Sequence, residues 1–204
     1  MSLTTDLPIA QSPTSPRRLS RREAAQMILS GVAAGVFSPL ASAAHPIHKH
    51  LLNNALLDSA DAHLAAENAK PLFLSQQQLA ALDVLSEAIV PGSRKAQSPA
   101  FIDLLLSVDT PKAQQEFLAS LSTFESSSQT TFHADIASLS ASQLHDLLTS
   151  LSAPDSADHQ HFAHLKDWIS GAYYSSEIGM RELGWTPDRV FSAFPVCSHP
   201  EGHS

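Results

Sequence analysis

Beyond Leu72 the chain sets its apolar residues three and four apart and brackets each run with residues that start or stop a helix. Ser75-Gln76-Gln77-Gln78 is a capping box: the Ser75 hydroxyl accepts from the amide three residues on while Gln78 reaches back. Leu79, Leu82, Leu85 and Ile89 then lie near one face, and Pro91-Gly92 ends the run. Ser98-Pro99 is a second start, an N-cap with proline at the first helical position, leading into Phe101, Ile102, Leu105 and Leu106. Thr110-Pro111 repeats the device before the stripe Ala113, Phe117, Leu121 and Phe124. Ser126 to Thr131 is polar throughout and reads as a joint between helices. Ser140-Ala141-Ser142-Gln143 is another capping box, followed by Leu144, Leu147, Leu148 and Leu151. From Asp155 to Tyr174 a final long helix carries Phe162, Leu165, Trp168, Ile169 and Ala172 on one side. No segment sustains a period of two with β-branched residues, so a sheet has no support. The pattern predicts an all-α fold, a compact bundle of about five helices over residues 72–198, with a disordered tail at 199–204.

The residues before Leu72 are different. Residues 44–71 are rich in Ala, Asn, His and Asp; their leucines allow a loose helix, but the segment reads as a flexible, poorly packed arm. Ahead of it, Ser20-Arg21-Arg22-Glu23 precedes the modestly apolar stretch Met27 to Leu40. An arginine pair in that setting reads as a twin-arginine export signal, the address of bacterial proteins that leave the cytoplasm already folded. Ala41-Ser42-Ala43 supplies the small-x-small pattern for signal cleavage, giving a signal peptide of residues 1–43 and a new N-terminus at Ala44. Glu23-Ala24-Ala25-Gln26 departs from the usual pattern in lacking a bulky apolar residue and a lysine. An uncleaved membrane anchor is the alternative, yet the run is short of the roughly 18 apolar residues that a span requires. Chains take this route when they carry a cofactor inserted in the cytoplasm, or travel with a partner that does.

Charge and cysteine usage narrow the options. The net charge is −8, and residues 1–43 hold four of the twelve basic residues and two of the twenty acidic ones, which leaves the remainder at −10. That balance argues against a basic patch for nucleic acid or anionic lipid. Cys197 is the single cysteine, so an internal disulfide, a cysteine-ligated iron–sulfur cluster and covalent c-type haem are excluded within this chain. In an oxidising compartment a lone cysteine suggests an intermolecular bridge, the alternative being a sequestered thiol. No Gly-x-Gly-x-x-Gly follows a strand. Of eleven histidines, His161 and His164 are spaced to share a helix face, but no neighbouring carboxylate or cysteine completes a metal set. Ser175 and Ser176 have no histidine at diagnostic spacing, so no catalytic residue is expected.

The C-terminal third concentrates the remaining candidates. Trp168, Tyr173, Tyr174 and Trp185 hold all the tryptophan and tyrosine of the chain, interleaved with Gly171, Gly179 and Gly184. Aromatics with polar tips beside glycines suit a protein interface; for Trp168 and Tyr173 the plainer reading is the core of the last helix. Glu177 and Arg181 are spaced as an i, i+4 pair, either a solvated helix face or a salt link to a partner.

Ser75-Gln-Gln-Gln-Leu79, Glu87-Ala-Ile-Val-Pro91 and Phe101-Ile-Asp103 resemble the opening of the gluconate 2-dehydrogenase subunit 3 family. Gly171-Ala-Tyr-Tyr-Ser-Ser-Glu177-Ile-Gly-Met-Arg-Glu-Leu-Gly-Trp185, ending in Pro195-Val-Cys197, resembles its close and is the more specific block. The resemblance implies a non-catalytic small subunit of a membrane-associated sugar or polyol dehydrogenase. FAD would then reside in a large subunit of the glucose–methanol–choline type, with a cytochrome c subunit often accepting the electrons. The small subunit would bind the flavoprotein and escort it through the twin-arginine translocase to the periplasm. Arg21 and Arg22 would be the export signal, and Tyr173, Tyr174, Glu177, Arg181, Trp185 and Cys197 the partner interface, with no cofactor or metal held by this chain. Two rivals stay open: a free-standing exported enzyme, and a periplasmic binding or scaffold protein unrelated to any dehydrogenase.

Overall fold

The computed structural model describes residues 20–24, 46–65 and 70–184. The cleavage pattern at Ala41 to Ala44, Trp185, Cys197 and the tail at 199–204 lie outside the described residues. The described chain is all-helical: α1 (His48–Leu51), α2 (Asn54–Leu64), α3 (Gln76–Ile89), α4 (Ser98–Ser107), α5 (Pro111–Phe132), a 3-10 turn (Ile136–Ser138), α6 (Ala141–Ser152), α7 (His159–Tyr174) and α8 (Glu177–Glu182). Among the described residues there is no strand, and no helix is long and apolar enough to cross a membrane.

Both capping boxes form as the sequence predicts, Ser75 with Gln78 at the head of α3 and Ser140 with Gln143 at the head of α6. Thr110 caps α5 by accepting from the Ala113 amide at 3.3 Å. The second start differs. Gln97, not Ser98, is the N-cap of α4; it adopts the left-handed conformation at φ 55° and bonds no amide through its side chain. Ser98 belongs to the first turn, where its hydroxyl is buried without a partner. α7 likewise begins at His159 rather than Asp155.

Two further expectations are corrected. Ser126 to Thr131 is no joint, because α5 runs unbroken to Phe132 and ends at His133 in the left-handed conformation. Weak helix propensity in that stretch is overridden by packing: Phe124 is buried before it, Phe132 packs on the core after it, and the Ser128 hydroxyl donates to the Ala134 carbonyl at 2.7 Å. Nor are residues 46–65, within the segment between the leader and Leu72, a loose arm. Asn53 caps α2 by accepting from the Leu56 amide, and Ile47, Leu51, Leu57, Ala60 and Leu64 join the core.

α7 is the axis of the bundle and packs against α3, α4, α5, α6 and α8. Trp168 on it is fully buried, edge-on to Phe117 with ring centres 5.5 Å apart. α4 is buried on every side from Phe101 to Leu106, as a central helix must be. The one carboxylate within that run, Asp103, accepts backbone N–H bonds from Leu72 (2.6 Å), Phe73 (3.0 Å) and Leu74 (2.7 Å). It thus ties the entry segment to the central helix and orients the start of α3.

The His161–His164 pair converges on a serine. The Ser120 hydroxyl on α5 lies 2.9 Å from His164 Nδ1 and 3.2 Å from His161 Nδ1, and it donates to the Glu116 carbonyl. Trp168 Nε1–H donates to His164 Nε2 at 3.2 Å. Because indole only donates, the neutral His164 ring carries its proton on Nδ1 and gives it to Ser120. A buried hydroxyl facing a protonated nitrogen is not an activated nucleophile; the network stitches α5 to α7.

That network sets a pH dependence. Burial lowers the pKa of His164 from its usual value, against the opposing charges of Glu116 and Asp167. His50, with its ring centre 6.5 Å from that of Trp168, is lowered by burial too, with Asp109 opposing. The unfolded chain therefore binds protons at these sites first as pH drops below about 6.5. The stability is present in full above that pH and is lost as pH falls toward the depressed native values. Urea midpoints should decline between pH 7.5 and 5.5, and His164→Gln should flatten that decline; an equal slope in the variant would show that His164 is not the group responsible.

Candidate partner-docking face

The aromatic and glycine-bearing block that stands out in the sequence forms one corner of the bundle. α7 ends at Tyr174, and the chain turns at Ser175-Ser176 into α8. Both serines hold the turn: Ser175 Oγ donates to the Ala172 carbonyl and Ser176 Oγ to the Tyr173 carbonyl, while Ser176 also caps α8 by accepting from the Gly179 amide. Gly179 is where the two helices meet. A Cβ there would lie 2.4 Å from the Tyr173 carbonyl oxygen and 2.8 Å from Tyr174 Cα, both backbone atoms, so only glycine allows this approach.

The two tyrosines divide their roles. Tyr173 is buried; its hydroxyl donates to Glu182 at 2.9 Å and packs over Gly92, which takes φ 94° to close the turn after α3. Burial first, then the Glu182 carboxylate, pushes its phenol pKa up to about 12. Expected as an interface residue, Tyr173 instead closes the interior of this corner. Glu87 completes that closure, accepting from the Gly92 and Arg94 amides, and those bonds hold its carboxyl below the usual range. Tyr174 turns outward, edge-on to Tyr173 at 5.1 Å.

Tyr174, Ile47, Leu51, Gly171 and Leu183 line an open groove of about 290 Å³ between α1 and the α7–α8 corner. Two of its lining side chains are large, apolar and exposed: Leu183 is 55% accessible and Tyr174 36%. Beside it, Arg181 Nη2 pairs with Glu177 Oε1 at 2.8 Å on the α8 surface. The structure thus brings Tyr174, Glu177 and Arg181 to one corner and adds Leu183 and Leu51 of α1, which the sequence reading did not single out. The arm's own leucines were the available signal.

The expected export pair also has a defined place. Residues 21–24 form a helical turn in which Ser20 and Glu23 bond reciprocally, Ser20 N–H and Oγ to Glu23 Oε2 and Glu23 N–H to Ser20 Oγ. Ser20-x-x-Glu23 is therefore itself a capping box. Arg22 is exposed and pairs with Asp58 on α2 at 3.4 Å. Arg21 is only 5% accessible. Its guanidinium donates to the Ala96 carbonyl (2.7 Å) and the Ala172 carbonyl (3.4 Å) and sits 4.0 Å over the Phe101 ring.

No curated protein and no solved structure matches the chain. The profile of the family described as gluconate 2-dehydrogenase subunit 3 matches residues 76–188. That span is more than half of the 204 residues. It runs from the first turn of α3, through the Asp103 anchor and the axial helix α7, to the corner that carries the groove. The chain belongs to the gluconate 2-dehydrogenase subunit 3 family.

Proposed function

We propose that this chain is the non-catalytic small subunit of an exported FAD-dependent sugar or polyol dehydrogenase, that it docks on the flavoprotein through the α1/α7–α8 corner, and that it escorts that partner through the twin-arginine route. The family name speaks of a subunit of a multi-subunit dehydrogenase. The observation that carries the docking is the apolar groove lined by two large exposed side chains, Tyr174 and Leu183. Anchors of this kind around a shallow pocket are what a protein interface desolvates. The Glu177–Arg181 pair beside it fits the polar rim of such a contact.

In this reading the chemistry stays with the partner. FAD is loaded into the glucose–methanol–choline-type large subunit in the cytoplasm, and a cytochrome c subunit takes the electrons in the periplasm. Ser120, His164, Ser175 and Ser176 serve the chain's own packing, as their hydrogen bonds indicate. Replacing Arg21 and Arg22 together by lysine should leave both this subunit and the flavoprotein in the cytoplasmic fraction. Dehydrogenase activity at the wild-type level in the periplasm of that strain would count against the escort.

A further inference from the structure

Arg21 occupies a built site. Its walls come from four parts of the fold: the Ala96 carbonyl from the turn before α4, the Phe101 ring from α4, the Ala172 carbonyl from α7, and Asp61 from α2. Two carbonyl oxygens and an aromatic face are complementary to a planar cation with several N–H donors. Asp61 supplies the counter-charge and accepts from the Arg21 amide at 3.3 Å. Ala24, one turn on, is fully buried, so the segment is seated at a second residue as well. Burial lowers the pKa of the guanidinium to about 10, with the Asp61 charge opposing, which leaves it charged near neutrality. Arg22, in contrast, stays on the surface with a single exposed partner.

A translocase that reads two adjacent arginines cannot reach one that is buried in the cargo. We propose that the helical domain carries a guanidinium socket for Arg21, and that its occupancy masks the export pair until residues 20–24 are drawn out. The inference rests on the export reading of the pair and adds a control on it. The folded domain itself decides when the address is legible. Asp61 is the residue to alter, since it lies half-buried on α2 and outside the core, whereas Phe101 is core.

The test uses the purified full-length chain and trypsin, with a synthetic peptide of residues 14–30 as the unmasked reference. Cleavage at the arginine pair should be slower in the chain than in the peptide by about a hundredfold, the order set by local opening of a seated segment. Asp61→Ala, and more mildly Asp61→Asn, should raise that rate about tenfold by removing a charge-assisted bond and the counter-ion. Asp58→Ala, which removes the exposed ion pair of Arg22, should leave it within about twofold. In cells, pulse-labelled Asp61→Ala chain should reach the periplasm sooner than wild type. Equal cleavage of chain and peptide would overturn the socket. An opened pair in Asp61→Ala with unchanged export, while the double-lysine chain is retained, would overturn the mask alone. Export of the double-lysine chain would overturn the export reading and the mask together.

Discussion

Asp103→Ala is expected to lower the stability of the bundle by about 3 kcal/mol, since each backbone donor stranded by a lost acceptor costs roughly 1–3 kcal/mol and water can reach part of this site. Three amides, those of Leu72, Phe73 and Leu74, point at the two carboxylate oxygens, and Leu74 is buried. The loss reaches beyond the three bonds, because Leu74 leads directly into the Ser75 cap of α3. For a domain of this size the melting temperature should fall by about 10 °C. Asp103→Asn keeps the shape and one acceptor oxygen and should fall between the two. A melting temperature for Asp103→Ala within about 2 °C of wild type would mean that the entry segment is held by something else.

Joint replacement of Tyr174 and Leu183 by aspartate should abolish co-purification of the flavoprotein while leaving the helical signal intact. Both side chains are exposed at the groove, so their loss removes little from the core. Within a desolvated contact, each anchor is worth about 2 kcal/mol or more and each introduced carboxylate adds a desolvation penalty. The combined effect is an affinity lower by about a thousandfold or more. Tyr173→Phe provides the contrast. It removes the bond to Glu182 within the corner but presents nothing to a partner, so binding should persist with a modest loss of stability. Retained co-purification in the aspartate double variant would move the docking surface elsewhere.

The bundle was legible wherever a helix announces itself locally. Ser75, Thr110 and Ser140 cap the helices they precede, and the stripe through Phe117, Leu121 and Phe124 is buried. The errors arise where a distant contact decides. Ser126 to Thr131 has the composition of a linker, and only the buried residues flanking it reveal a helix. α1 and α2 are dilute in apolar residues, yet Leu57, Ala60 and Leu64 sit at i, i+3 and i+7, and Asn53 is a proper cap. The groove was half visible: Tyr174 belongs to the aromatic block, whereas Leu51 comes from a segment more than a hundred residues earlier. The Arg21 socket was the least visible of all. Its main acceptors are backbone carbonyls of two alanines, which carry no side-chain signature; the Ser20-x-x-Glu23 spacing, read only as the setting of an export signal, was the one local sign of a folded turn. Tyr173 shows the reverse case, a residue whose interface-like composition serves a buried hydrogen bond.

Where the flavoprotein is found in a strain that lacks this chain is the most direct test of the escort. The large subunit, with FAD bound, should remain in the cytoplasm or be degraded there, and the full-length chain supplied in trans should return it to the periplasm. Flavoprotein recovered from the periplasm at its normal level without this chain would contradict the escort.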